Sequence, residues 1–210
     1  MYELTRAWPD SRPWLEEGLD SADSQQRLLC ALVLMRKDCP PFPRLLEVAV
    51  ESLRDDHLPS GHHRDGTPAY LSVYNAERAQ RYLVQQGNSA RSALLKGLGG
   101  YDSQQKLLSA CLLARLPDEG LHGKLAEILA SHLFNNGISG DAAQATRALL
   151  RIGKPALPIL QSLSRSWDPQ AARLSRALLD LIDQRHDAAT AFEKHGLQEV
   201  ISRRTLTQIR

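Results

Sequence analysis

The sequence predicts an all-α protein, a right-handed α-solenoid of about five antiparallel helix pairs with no β-sheet. Three observations predict it. The first is repetition in two registers. Asp23 to Arg36 reads DSQQRLLCALVLMR and Asp102 to Arg115 reads DSQQKLLSACLLAR, with nine of fourteen positions identical and the charge kept at Arg27/Lys106. The same shift of seventy-nine aligns Arg12, Leu15, Gly18 and Leu19 with Arg91, Leu94, Gly97 and Leu98. A shift of sixty-six aligns Ala79, Arg81, Leu83, Gly87, Asp102 and Leu113 with Ala145, Arg147, Leu149, Gly153, Asp168 and Leu179. Sixty-six is two units of thirty-three, and seventy-nine is two units plus about a dozen residues. The insertion is assigned to HLPSGHHRDGTP, residues 57–68, which holds two prolines and two glycines.

The second observation is composition. Aromatic residues make up only 5%, low for an all-β chain, while Leu, Ala, Arg and Gln favour helix. The third is apolar character nearly all round the helix at 28–35 and 107–116. A surface helix shows one apolar stripe, whereas a helix apolar on every side is buried. In a stack of helix pairs, the second helix touches its own partner and both neighbours. No single pair buries its own faces, so the pairs must stack.

The elements follow in order. Paired helices are expected near 9–20 and 24–37, 42–55 and 69–86, 89–99 and 103–116, 121–135 and 140–152, then 156–166 and 169–183. Asp23, Asp102 and Asp168 precede second helices and can accept hydrogen bonds from free first-turn amides. Pro68 and Pro169 are expected at first helical positions, where no donor is lost. Gly87 and Gly153 follow helix ends and suit the left-handed stop. Residues 1–186 form the array, and 187–210 a C-terminal helical cap with a basic tail. In that cap AATAFEKH reads as a short helix ended by Gly196, and Arg203 and Arg204 supply a polar outer face.

Gly153 to Ile182, GKPALPILQSLSRSWDPQAARLSRALLDLI, resembles a HEAT repeat of the short, phycobilisome-lyase type. It shares Pro before the first helix, the Leu spacing, Asp-Pro at the turn, and Arg then Ala-Leu-Leu in the second helix. The resemblance covers roughly 9–183 and is weakest around 40–75. Armadillo units are longer than this period, and the W…L-G…Y pattern of tetratricopeptide repeats is missing. The resemblance implies that second helices line the concave surface. It also implies a structural ladder in which a turn Asp pairs with a basic residue early in the second helix. Asp23/Arg27, Asp102/Lys106 and Asp168/Arg173 fit that ladder.

The arginines outside the ladder are the candidate binding surface. Arg78 and Arg81, Arg147 and Arg151, and Arg176 beside Arg173 lie three or four apart, so each pair shares a helix face. Planar guanidinium binds phosphate and carboxylate bidentately. The expected function is therefore a non-catalytic scaffold that binds an acidic or extended protein partner along a basic concave groove. The alternative is a nucleic-acid-binding protein related to AlkD-type DNA glycosylases, which hold alkylated bases with Trp and Asp. Here Trp167-Asp168 aligns with Tyr101-Asp102, which reads as a repeat position with a capping Asp, and Trp8 and Trp14 read as cover for the N-terminal end.

Other chemistry finds little foothold. Asp55, Asp56, His57, His62, His63 and Asp65 cluster in the insertion, but their spacing matches no metal motif and the segment reads as a solvated loop. No phosphate-cradling Gly-rich loop, nucleophile elbow, CxxC or HExxH is present, so no catalytic residue, metal or cofactor is assigned. A formal charge of +2 does not by itself predict nucleic-acid binding. Cys30, Cys39 and Cys111 read as reduced thiols, and the start MYELTRAWPDSRPW has no apolar signal region. The longest apolar stretch, Leu28 to Met35, is too short for a bilayer. Together these place the chain in the cytoplasm with no membrane partner.

Overall fold

The computed structural model describes residues 10–54, 59–62, 68–70, 72–134, 140–183 and 188–197. It is helical apart from one two-stranded pair. The elements are α1 (Arg12–Gly18), α2 (Ser24–Arg36), α3 (Pro43–Glu51), β1 (Pro59–His62), β2 (Pro68–Tyr70), α4 (Ser72–Gln86), α5 (Arg91–Leu98) and α6 (Ser103–Leu113). They continue with α7 (Glu119–Ser131), α8 (Gly140–Ile152), α9 (Leu157–Leu163), α10 (Pro169–Ile182) and α11 (Ala188–Lys194). Short 3-10 turns, Gly87–Ala90, His132–Phe134 and Lys154–Ala156, adjoin α5, α7 and α9.

The strands correct the expectation of no β-sheet. β1 and β2 pair antiparallel, Pro59 with Tyr70 and His62 with Pro68, within and just beyond the predicted insertion. Pro68 accordingly lies in β2 instead of opening a helix, and α4 starts at Ser72. Strand pairing supplies partners for backbone amides that a helix start would have left open.

The local punctuation explains the other boundaries. Asp23 Oδ1 accepts from Gln25 N at 2.9 Å, Asp102 Oδ1 from Gln105 N at 2.6 Å and Asp168 Oδ1 from Ala171 N at 2.7 Å. Ser21 Oγ and Ser166 Oγ in turn accept from the backbone N–H of Asp23 and Asp168. Gly87, Gly153 and Gly196 take positive φ of 53°, 69° and 66°, which favours glycine; Gly153, with ψ of −131°, does so outside the left-handed helical stop expected of it.

The chain divides into two compact units, Met1–Leu112 and Leu113–Arg210. In the first unit α1 packs on α2, α2 on α3 and α4, and α3 on α4 and α5. Its buried leucines include Leu15, Leu19, Leu34, Leu45, Leu53, Leu83, Leu94, Leu107 and Leu108. In the second unit α7 packs on α8 and α9, and α10 on α8, α9 and α11. Its core includes Leu125, Leu129, Leu133, Leu149, Leu160, Leu174, Leu178 and Phe192. Burying each such side chain contributes roughly 1.5–3 kcal/mol. Within each unit, then, first helices meet first helices (α3 and α5, α7 and α9) and second helices meet second helices (α2 and α4, α8 and α10).

Gly18 and Gly97, aligned in the longer register, show why the repeat keeps glycine there. A methyl on Gly97 would fall 2.5 Å from Ser109 Oγ and 2.7 Å from Val50 Cγ1, and one on Gly18 would collide with Cys30 Sγ. Each glycine lets its helix approach a small residue on the next helix, and Cys30 and Ser109 are themselves aligned.

Candidate functional site

Each candidate arginine sits opposite a buried face. On α4, Ala79, Tyr82 and Leu83 are buried, while Arg78 is half-buried and Arg81 exposed. Arg81 Nη2 lies 3.6 Å from Glu77 Oε2, one turn earlier. On α8, Ala142, Ala145, Ala148, Leu149 and Ile152 are buried, which leaves Arg147 half-buried and Arg151 exposed. On α10, Ala171, Ala172, Leu174, Ser175, Ala177 and Leu178 are buried, and Arg173 and Arg176 are exposed. The second unit thereby brings Arg151, Arg173 and Arg176 onto two helices packed against each other. Arg78 and Arg81 belong to the first unit.

The expected Asp–basic ladder does not form. Asp168 spends its carboxylate on the Ala171 amide and is buried, while Arg173 makes no ion pair among the described residues. Asp102 caps Gln105, and Lys106 likewise has no carboxylate partner among the described residues. Arg27 turns to α3: its Nη2 and Nε reach Glu51 Oε1 and Oε2 at 2.5 and 3.3 Å. Its Nη1 also donates to the carbonyls of Ser21 and Ala22, at 2.8 and 3.0 Å. The hydrogen bond that Arg27 donates to Glu51 raises the Arg27 pKa against burial, with the charges of Glu51 and Asp23 adding to it. The physical reason is competition: an Asp bound by first-turn amides within two or three residues has little left to offer a flexible cation.

Arg176 proves to have structural work. Its Nη2 and Nε donate to Ser164 O, the carbonyl at the C-terminal cap of α9, at 2.9 and 3.2 Å. That bond satisfies an orphan carbonyl and ties α9 to α10. Arg176, and not Arg173, thus makes the structural contact at this turn.

An ionic chain does link first helices, where the sequence did not place one. Asp20 Oδ1 accepts from Arg44 Nε at 2.7 Å, Arg44 Nη1 lies 3.5 Å from Glu47 Oε2, and Glu47 Oε1 accepts from Lys96 Nζ at 2.5 Å. The Lys96 hydrogen bond chiefly holds the Glu47 carboxyl below its usual range. Only the Arg44/Glu47 spacing was a sequence signal; the links to Asp20 and Lys96 depend on tertiary packing.

The aromatic candidates are solvent-facing. Trp167 is 89% exposed, Trp14 is 73% exposed and Tyr101 is fully exposed, so Trp14 does not cover the end of a core. Trp8, the side chains of His57, His62 and His63, and those of Asp55, Asp56 and Asp65 lie outside the described residues, as do Arg203 and Arg204. Among the described residues, no His, Cys, Asp and Glu side chains come together as a metal site. No disulfide joins Cys30, Cys39 and Cys111, and burial pushes the Cys30 and Cys39 thiols up, away from reactivity. No helix among the described residues is long and apolar enough to cross a membrane.

No known protein family matches the chain. A solved engineered protein from the Northeast Structural Genomics Consortium is similar, at 18% identity and a TM-score of 0.46 over 100% of this chain and 94% of its own.

Proposed function

We propose that the chain is a HEAT-like α-solenoid acting as a non-catalytic scaffold that binds an acidic, extended protein segment across its second helices. One observation carries the reading. α8 and α10 pack side by side, and Arg151 and Arg173 on them are exposed, beside Arg176, whose Nε and Nη2 hold Ser164 O. The packing of first helix on first helix and second on second in both units supports the solenoid. The repeated Asp caps support it too, because they begin successive second helices in the same way. Charge-assisted hydrogen bonds from well-seated guanidiniums contribute about 1.5–3 kcal/mol each, so two or three suffice to specify an acidic segment. Arg147 lies four residues before Arg151 on α8, and Arg78 and Arg81 form a pair three residues apart on α4.

The test is capture of partners from source lysate with mass spectrometry, using the wild type and an Arg151→Glu/Arg173→Glu double variant. The reading expects at least one acidic partner that the double variant loses while its circular dichroism spectrum stays helical. Equal capture by both proteins would sink it. Duplex DNA supplies the opposing arm. Micromolar binding whose logarithm falls steeply and linearly with log salt would favour a nucleic-acid role.

A further inference from the structure

One repeat position carries an aromatic side chain in three successive units. Tyr101, Phe134 and Trp167 follow one another at thirty-three residues, one repeat length. Tyr101 and Trp167 stand directly before the capping Asp102 and Asp168, and Phe134 closes the 3-10 turn between α7 and α8. Aromatic residues are only 5% of the chain, so the recurrence is not a by-product of composition. Seventy-nine residues before Tyr101 the chain has Ala22, so the row begins at Tyr101. A position kept aromatic for the core would be buried. Here Tyr101 is fully exposed, Trp167 is 89% exposed and Phe134 is half-buried.

The second unit holds two of the three and brings them to one helix. The turn His132–Phe134 packs on α10, and Trp167 lies at the N-terminal end of α10. The backbone around Trp167 is fixed on both sides. Ser166 Oγ accepts from the Asp168 N–H at 3.2 Å, and Arg176 Nη2 and Nε donate to Ser164 O at 2.9 and 3.2 Å. Cations accompany the aromatic. Arg165 is exposed two residues before Trp167, Arg176 is tied to the same turn, and Arg173 is exposed three residues before Arg176 on α10.

We propose that Phe134 and Trp167 are the apolar anchors for an acidic partner segment in the polyproline II conformation, which seats one proline on the aromatic of each repeat. This docking mode presupposes the acidic, extended partner proposed above and specifies its conformation and contacts. The match is one of spacing. Packed helices stand about 8–10 Å apart, which sets the step from one repeat turn to the next. A polyproline II chain has three residues per turn and rises about 3.1 Å per residue, so it repeats one face about every 9 Å. A β-strand repeats its face about every 7 Å and falls out of step. Proline-rich segments dock on aromatic-lined grooves because their conformation is preformed and little entropy is lost on binding. Two residues of each turn remain for carboxylates, which Arg165, Arg173 and Arg176 hold by charge-assisted hydrogen bonds.

Fluorescence anisotropy with two labelled peptides of roughly twelve residues, about 37 Å long in this conformation, tests the row. One peptide is built of Pro-Asp-Ser repeats and the other of Gly-Asp-Ser repeats with the same charge. The full chain should bind the proline peptide about tenfold more tightly, because its conformation is already set. Trp167→Ala changes a side chain that is 89% exposed, so the fold should survive it, as circular dichroism will show. It should abolish the preference and leave the weaker, salt-sensitive binding that both peptides share. Phe134→Leu should lower the preference, and Arg151→Glu/Arg173→Glu should weaken both peptides alike. Equal affinity for the two peptides, or a preference that both aromatic variants leave intact, would overturn the anchor row while the acidic partner stands. No binding of either peptide by the wild type would overturn both. A single-stranded oligothymidylate held through Trp167, with neither peptide bound, would reassign the aromatics to base stacking and overturn the row as a protein dock.

Discussion

Leu29 and Leu108 occupy the same position of the repeated helix, yet Leu29 is 39% exposed and Leu108 only 1%. α2 and α6 share their capping Asp, their start at a Ser, and a small residue seated against a glycine of the preceding helix. They differ in what surrounds them. Arg27 of α2 finds Glu51, whereas the position seventy-nine residues after Glu51 is Ala130, so Lys106 of α6 has no equivalent carboxylate. Features that close within a few residues travel with the repeated sequence. Burial and ion pairing are set by neighbours that the repeat does not copy.

Substitutions can break this comparison, and the largest effect belongs to burial. Leu108→Asp places an unpaired charge in the core and should cost several kcal/mol, of the order of 3–5. Leu29→Asp should cost about 1 kcal/mol or less. Thermal melts of the two variants should differ plainly, and equal melting temperatures would mean that α2 and α6 sit in equivalent surroundings after all.

The close approach comes next. Gly97→Ala must push aside Ser109 and Val50, and overpacking of this kind costs about 1–3 kcal/mol. Gly123→Ala is the contrast, because a methyl there meets nothing and the helix gains about 0.5–1 kcal/mol of propensity. Urea midpoints should move in opposite directions for the two.

Removing one cap, Asp102→Ala or Asp23→Ala, should cost about 1 kcal/mol in either copy. In the same range, Arg27→Lys should weaken the paired contact with Glu51, while Lys106→Arg should be close to neutral. If Lys106→Arg stabilised the protein as much as Arg27→Lys destabilised it, the asymmetry between the copies would be false.

The smallest effect concerns acid. Glu47 has a folded pKa below its ordinary 4.5. Its contribution is present above that ordinary value and is lost as pH falls through the lower, folded one. Glu47→Gln should therefore narrow its deficit relative to the wild type below about pH 4.5, as followed by acid-unfolding curves.

How far the sequence was legible follows from the same distinction. Most helix limits, the three Asp caps and the positive φ of Gly87 and Gly153 were readable because each depends on residues within a turn or two. The roles of Arg173 and Arg176 were not. A turn Asp and a basic residue four or five positions later look like a pair on paper. In the folded chain the first-turn amides hold Asp168, and a carbonyl twelve residues away holds Arg176. The ionic chain Asp20–Arg44–Glu47–Lys96 was invisible for a related reason: its members come from three segments that only packing brings together.

The β1–β2 pair has a consequence for chain entropy. It lies between α3 and α4, which pack on each other directly. Those helices are therefore held together by their own packing and not only by the segment that joins them. Closing a flexible loop becomes costlier only with the logarithm of its length, roughly 0.6 kcal/mol for each doubling. Shortening this segment to a tight turn, or extending it to carry a foreign sequence, should then leave the helical contacts on either side in place. This junction is where the chain can change length while its repeat stays in phase.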